Sequence, residues 1–341
     1  MLPEEGADAV TTQTAVQKEL DDALHERRRS SDSVSTTLAT NGFVVGETIG
    51  KGAFSIVKKA YWSKANVHVA IKIMSKNSTS ESFLKKYVPR ELDIIRHVRH
   101  DNVIRYFELI ETTMKYYIVM EYAEQGSFLE LLRKKGRVGE TRARKYYGEL
   151  LSAVEYLHSN GIAHRDIKCE NVTLDAQDRV RLIDFGFARR LWEAGKTPSN
   201  TQMKPSFSRT FCGSHAYASP ELLHLEAYDP FPADIWACGV VLYALLFAKL
   251  PFENAKKVPT VLMSIAKGVQ FPSGVAVSED VKCLLKHIFK PVEDRITLAQ
   301  MRRSLWFYAE LENVPHPATA PSLTRDDESP ASKKIKLDNK N

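Results

Sequence analysis

The chain runs to 341 residues with 43% hydrophobic and 9% aromatic content, enough for a packed core and incompatible with a wholly disordered polymer. Its 48 Lys and Arg stand against 42 Asp and Glu, a net +6 too dilute for the dense basic face that nucleic acid requires. Four cysteines (Cys169, Cys212, Cys238, Cys283) lack any C-x-x-C or His-Cys spacing, so no zinc site is expected.

Residues 1–42 are polar, a charged stretch "QKELDDALHERRR" followed by "SSDSVSTT", and are expected to form a mobile extension. No secretory leader opens the chain, so reduced thiols in the cytosol or nucleus are expected, with Cys169 and Cys212 as packing residues rather than a redox pair. From Phe43 to about Tyr122, short β-branched and aromatic runs alternate with turns. One helical pattern interrupts them, opening at Pro89 with Leu92, Ile95 and Val98 on one face. Helical patterns dominate after Ser127; Leu150, Val154 and Leu157 share a face, and Gly161 marks a stop. The apolar run Ile235 to Ala248 is shorter than the ~20 residues of a membrane span and predicts a buried helix, with no membrane partner. From about Asn313 to Asn341 the composition returns to that of a tail. The expected fold is therefore α+β and bilobal. A β-rich lobe (about 43–122) precedes a larger helical lobe (about 126–307), with a ligand cleft between them.

Chemistry-bearing residues cluster at four places. Gly50-Lys51-Gly52-Ala53-Phe54-Ser55 lies between two strand-like runs, where glycines let backbone amides approach phosphate oxygens. A Rossmann loop needs a helix next, and "SIVKKAYW" reads as a strand. Lys72 ends the strand-like "VAIK", and Glu91 on the following helix offers it a counter-ion. Asp184 leaves an apolar run as Asp-Phe-Gly, a carboxylate suited to hard Mg2+. The loop His164-Arg165-Asp166-Ile167-Lys168-Cys169-Glu170-Asn171 concentrates polar groups between two core-forming segments.

In chain order these pieces give G-K-G-A-F-S-x-V, A-I-K, a helix Glu, H-R-D-I-K-C-E-N, D-F-G and S-P-E. That order resembles the established signature set of eukaryotic protein kinases, over residues 43 to about 307. The resemblance implies that Asp166 accepts the substrate hydroxyl proton, Lys168 neutralises the phosphoryl group in flight, and Asn171 and Asp184 hold Mg2+. It implies that Lys72, paired to Glu91, grips the ATP phosphates. Ile49 through Ser55 would cover the nucleotide, Val57 and Ala70 roof the base, and Met120 with the hinge Glu121 to Ala123 frame it, above Thr173. Ile95, Tyr106, His164 and Phe185 match a stacked spine, Asp234 an anchor beneath the catalytic loop, and Glu221 with Arg295 a buried ion pair.

Lys168 two residues after Asp166 is the serine/threonine form of the loop. The stretches "FLKKYVPREL", "HRDIKCENV", "DFGFARR" and "RTFCGSHAYASPELL" are similar to the calcium/calmodulin-kinase group and most like testis-specific serine/threonine kinases. No basic amphipathic calmodulin-binding helix follows residue 310.

Ser219 replaces the alanine of Ala-Pro-Glu, and Thr173 stands where an apolar residue usually lies beneath adenine, its hydroxyl needing a partner. Thr210 occupies the position of an activating phosphothreonine, with Arg165 and Arg189 as its pocket and an upstream kinase as a candidate partner. Tyr87 stands where some relatives carry a further basic contact. Glu170 would pair an upstream arginine of a Ser/Thr-containing protein substrate, although Ser127 lacks the acid often found at the second such position. Residues 330–338, "PASKKIKLD", resemble a signal for a nuclear import receptor. The rival reading is a pseudokinase scaffold, opposed by the complete set Lys72, Glu91, Asp166, Asn171 and Asp184 and separable by an ATP-transfer assay.

Overall fold

A computed structural model of the chain describes residues 34, 36–52, 55–76, 88–192, 215–224, 228–252 and 257–308. The alternating runs become one antiparallel five-stranded sheet in the order β1-β2-β3-β5-β4. Its strands are β1 Phe43–Lys51, β2 Ser55–Trp62, β3 Val67–Ser75, β4 Tyr106–Glu111 and β5 Lys115–Glu121. Because side chains alternate along a strand, β3 sends Val69, Ile71 and Ile73 to one face and Ala70, Lys72 and Met74 to the other. On the second face Met74 and Ile118 join Val88 and Leu92 of α1, Val88–His97.

The first face carries a correction. Residues 34 and 36–40 are helical, and Val34 and Leu38 are buried in one cluster with Phe43, Val69, Ile71 and Tyr117. The polar segment before Phe43 is thus not mobile to its end. One i, i+4 pair of apolar residues is enough to seat a helical turn on an apolar sheet face. Leu38 is fully enclosed. Leu38→Ala should therefore cost about 2–5 kcal/mol, read as a lowered melting temperature of the full chain.

The larger lobe is helical: α2 Phe128–Lys135, α3 Glu140–Ser159, α4 Pro220–Leu223, α5 Pro230–Phe247, α6 Val258–Ala266, α7 Glu279–Ile288, α8 Leu298–Arg302 and α9 Leu305–Tyr308. Asp229 caps α5 by accepting from the Phe231 amide at 3.0 Å, and every residue from Asp234 to Phe247 is buried. By length and composition alone α5 would pass for a membrane span, but 83% of it is enclosed by protein, as expected for a helix apolar all round. Leu150, Val154 and Leu157 of α3 are fully buried in the same cluster as α5.

The remaining strands are short and form two small sheets of their own. β6 Gly126–Ser127, β8 Val172–Leu174 and β9 Val180–Leu182 form a three-stranded sheet, and β7 Ile162–Ala163 pairs with β10 Arg189–Arg190.

Candidate active site

Lys72 points into the cleft because Ile71 and Ile73 take the outer face of β3. Its Nζ lies 2.6 Å from Glu91 Oε1 and 2.9 Å from Asp184 Oδ1. Burial alone would push the Lys72 ammonium down, but the Glu91 and Asp184 carboxylates override it and hold the group above its ordinary range. The same cation, working against burial, holds the Asp184 carboxyl down at about 2. Lys72 and Asp184 are therefore an ion pair at neutral pH.

Asp184 has φ 63°, the left-handed region that side chains seldom adopt. Gly186 makes room for it: a Cβ there would lie 3.3 Å from Asp184 Oδ1 and 3.6 Å from Glu91 Oε2.

The loop 164–171 hangs from Asp234 on α5. One carboxylate oxygen accepts the His164 amide at 2.8 Å, the other the Arg165 amide at 2.8 Å. His158 Nε2 lies 3.0 Å from the first. That grip holds Arg165 at φ 67°, a second left-handed residue beside the reacting groups. Asp166 Oδ2 meets Lys168 Nζ at 2.7 Å and Asn171 Nδ2 at 2.9 Å. Asn171 Nδ2 also donates to the Asp166 carbonyl at 2.8 Å. The Ile183 amide donates to the Asn171 carbonyl at 2.9 Å, and a His164 ring nitrogen donates to the Ile183 carbonyl at 3.0 Å. Those bonds lock the loop to the strand leading into Asp184.

β1 and β2 are antiparallel strands, with Gly50 opposite Val57, and the Gly52 amide closes the loop on the Ser55 carbonyl at 2.8 Å. Ile49 and Lys51 are exposed; Ala53 and Phe54 lie outside the described residues. Ala70 is buried opposite Met120. The Glu121 amide is taken by the Arg105 carbonyl at 2.8 Å. Thr173 has its partner across the sheet, donating to the Arg181 carbonyl at 2.9 Å, so its methyl remains for packing.

His164 and Phe185 rings meet edge-on at 5.1 Å, and Ile95 and Tyr106 pack in the same core cluster as Phe185. Arg295 grips Glu221 through two bonds of 2.6 and 3.0 Å. Glu170 is exposed, while Ser127 is engaged as the N-cap of α2 with Glu130 completing a capping box. Arg189, on β10, is pushed below the usual guanidinium range by burial and by the cations of Arg165 and Arg90. Thr210, Tyr87 and Cys212 lie outside the described residues.

Burial pushes the Cys169 thiol up to about 12, and Cys238 is raised well above its ordinary value for the same reason. Cys283 is exposed. Brief maleimide treatment at pH 8 should label Cys283 and spare Cys169 and Cys238, as peptide mass spectrometry would read directly.

A family model described as the protein kinase domain matches residues 43–307. The chain belongs to the protein kinase family. Testis-specific serine/threonine-protein kinase 4 of Homo sapiens is 38% identical over 272 residues, covering 78% of this kinase and 82% of the relative. Testis-specific serine/threonine-protein kinase 3 of Mus musculus is 40% identical over 255 residues, covering 74% and 91%. CBL-interacting serine/threonine-protein kinase 8 of Arabidopsis thaliana is 36% identical over 274 residues, covering 80% and 59%. The kinase is thus a protein serine/threonine kinase, similar to the testis-specific group. Sequence reasoning about this kinase passed over Arg90, Arg181 and His158. Arg90 stands three residues after Tyr87 in the sequence, a spacing at which a basic residue could have been sought.

Proposed function

We propose that this kinase transfers the γ-phosphate of Mg2+-bound ATP to serine and threonine hydroxyls of proteins, using Lys72, Asp166, Lys168, Asn171 and Asp184. The observation that carries the proposal is the double grip on the cleft: Lys72 bridges Glu91 and Asp184, and Lys168 with Asn171 holds the Asp166 carboxylate. Asn171 and Asp184 fit Mg2+, a hard cation that takes few protein oxygens and completes its shell with phosphate and water. Asn171 spends only Nδ2 on Asp166, which keeps its amide oxygen for the metal. Bound there, Mg2+ neutralises charge on the phosphates. Lys72 positions the nucleotide phosphates, Asp166 orients the incoming hydroxyl and takes its proton, and Lys168 balances the moving charge. A peptide-library assay with labelled ATP, with and without Mg2+, tests this. A folded protein that binds ATP yet labels no peptide would favour a scaffold instead.

Exposed Glu170 supports a preference for arginine or lysine upstream of the acceptor, through a charge-assisted pair. Ser127, committed to capping α2, adds no second acid, so the preference should be mild. Glu170→Gln should flatten it in the same library.

Thr210 is proposed as the switch. Arg165 and Arg189 repel each other, with Arg90 of α1 adding a third cation, and a phosphate of about −1.5 to −2 charge would exchange that repulsion for attraction. Thr210→Ala should lower activity roughly tenfold, within the range of a ~1–3 kcal/mol coupling. Full activity in that variant would dismiss the switch. An upstream kinase and the kinase itself are both candidates to modify Thr210, and a catalytically dead variant incubated alone separates them. The 330–338 segment is proposed to engage a nuclear import receptor; a fluorescent fusion lacking residues 330–341 should lose nuclear signal.

A further inference from the structure

None of the kinase motifs includes Arg181, yet this arginine is nearly buried and touches three separate pieces of the cleft wall. Its Nη2 lies 3.2 Å from Glu121 Oε1, where β5 runs into the hinge, and 3.0 Å from Asp175 Oδ2, just after β8. Its Nη1 donates to the Asp101 carbonyl, in the loop between α1 and β4. Its own carbonyl accepts the Thr173 hydroxyl at 2.9 Å.

The same loop is tied to β9 along its length. Asn102 Nδ2 donates to the Val180 carbonyl at 3.1 Å, the Leu182 amide to the Asn102 carbonyl at 2.8 Å, and the Ile104 amide to the Leu182 carbonyl at 3.0 Å. Glu121 turns its other oxygen to the Arg105 amide at 3.2 Å. One residue therefore holds the hinge edge through its side chain and the Thr173 floor through its backbone.

We infer that Arg181 is a positioning residue for the nucleotide pocket, fixing the separation between the hinge at Glu121 and the floor at Thr173. The inference rests on reading the cleft as an ATP site. A guanidinium suits the task because its planar fork reaches two carboxylates and a carbonyl at once, which a lysine ammonium on a flexible stem does less well. Removing it leaves Asp175 well held, by the Gln177 amide at 2.9 Å, the Arg179 amide at 3.0 Å and Arg179 Nε at 3.0 Å. Glu121 is the group that loses its cation, so the hinge should shift while the lobe stays folded.

Steady-state kinetics of the full chain test this, varying ATP at fixed peptide for wild type, Arg181→Met, Glu121→Gln and the double variant, with thermal melts alongside. Arg181→Met should raise KM for ATP about tenfold, with kcat per folded molecule and KM for peptide changed by less than about twofold. The double variant should match Arg181→Met rather than multiply the two effects, because both changes remove one contact. Arg181→Lys should recover part of the loss. A lowered melting temperature with wild-type KM for ATP would make Arg181 a stabilising residue only and overturn the inference, as would strict multiplication of the two effects. Wild-type protein without saturable dependence on ATP would overturn the ATP reading itself.

Discussion

Asp166→Asn should lower turnover by about 10²–10⁴-fold while leaving the melting temperature and nucleotide affinity near wild type. Asp166 is proposed to take the proton of the incoming hydroxyl, and asparagine has the same shape but no basic oxygen. The loop around it does not depend on that charge for its position. Asp234 holds His164 and Arg165 through their backbone amides, and the Asn171 side chain holds the Asp166 carbonyl. Lys168 loses a 2.7 Å partner but is partly solvated, which limits the structural cost. Lys72→Met should separate from it in kind. Glu91 and Asp184 would then face each other without the cation between them, so nucleotide binding should fall along with turnover. Single-turnover assays with saturating ATP check the first variant, and fluorescent-nucleotide titration distinguishes the second. Wild-type turnover in Asp166→Asn would remove the assigned base.

The largest stability effect is expected at Arg295. Its guanidinium is almost wholly enclosed, makes two bonds to Glu221, donates to the Pro232 carbonyl at 2.9 Å, and stacks over Trp236 at 5.0 Å. Arg295→Ala strips the Glu221 carboxylate of its cation in a mostly buried setting, a change that typically costs about 3–5 kcal/mol. Burial opposes the Glu221 charge, and Arg295 more than offsets it, holding that carboxyl below its usual range. The sign follows: a depressed carboxyl stabilises the fold above its unfolded pKa, and that contribution fades as pH falls through the lower folded value. Urea melts at neutral and acidic pH should therefore show a smaller penalty for Arg295→Ala at the acidic end. An equal penalty at both would show that lost packing on Trp236, rather than charge, dominates.

Much of the site was legible because phosphoryl transfer restricts which residue types can serve and where they sit along the chain. Lys72, Glu91, Asp166, Asn171 and Asp184 are far apart in sequence, yet each sits beside a recognisable strand, helix or turn. What escaped notice depends on partners that spacing does not reveal. Val34 and Leu38 look like stray apolar residues in a Ser/Thr-rich segment until the outer face of β3 is seen to need covering. The Thr173 hydroxyl is satisfied only through the register that sets it opposite Arg181. Arg181 itself reads as an ordinary polar residue in a strand, since no local pattern records Glu121, Asp101 and Asp175 converging on it.

The largely enclosed α5 has a consequence for how the protein is made. Synthesis runs from the N-terminus, so α3 leaves the ribosome first and can supply one wall. The opposite wall, built from α7 and Trp306, follows only after α5 is already out. During that interval the nascent chain displays an apolar helix with the length of a bilayer-crossing segment and nothing yet to cover its far side. Chaperone occupancy should peak over that window of translation. A chain ended before Glu279 should aggregate rather than fold, because the large lobe is closed from its C-terminal side.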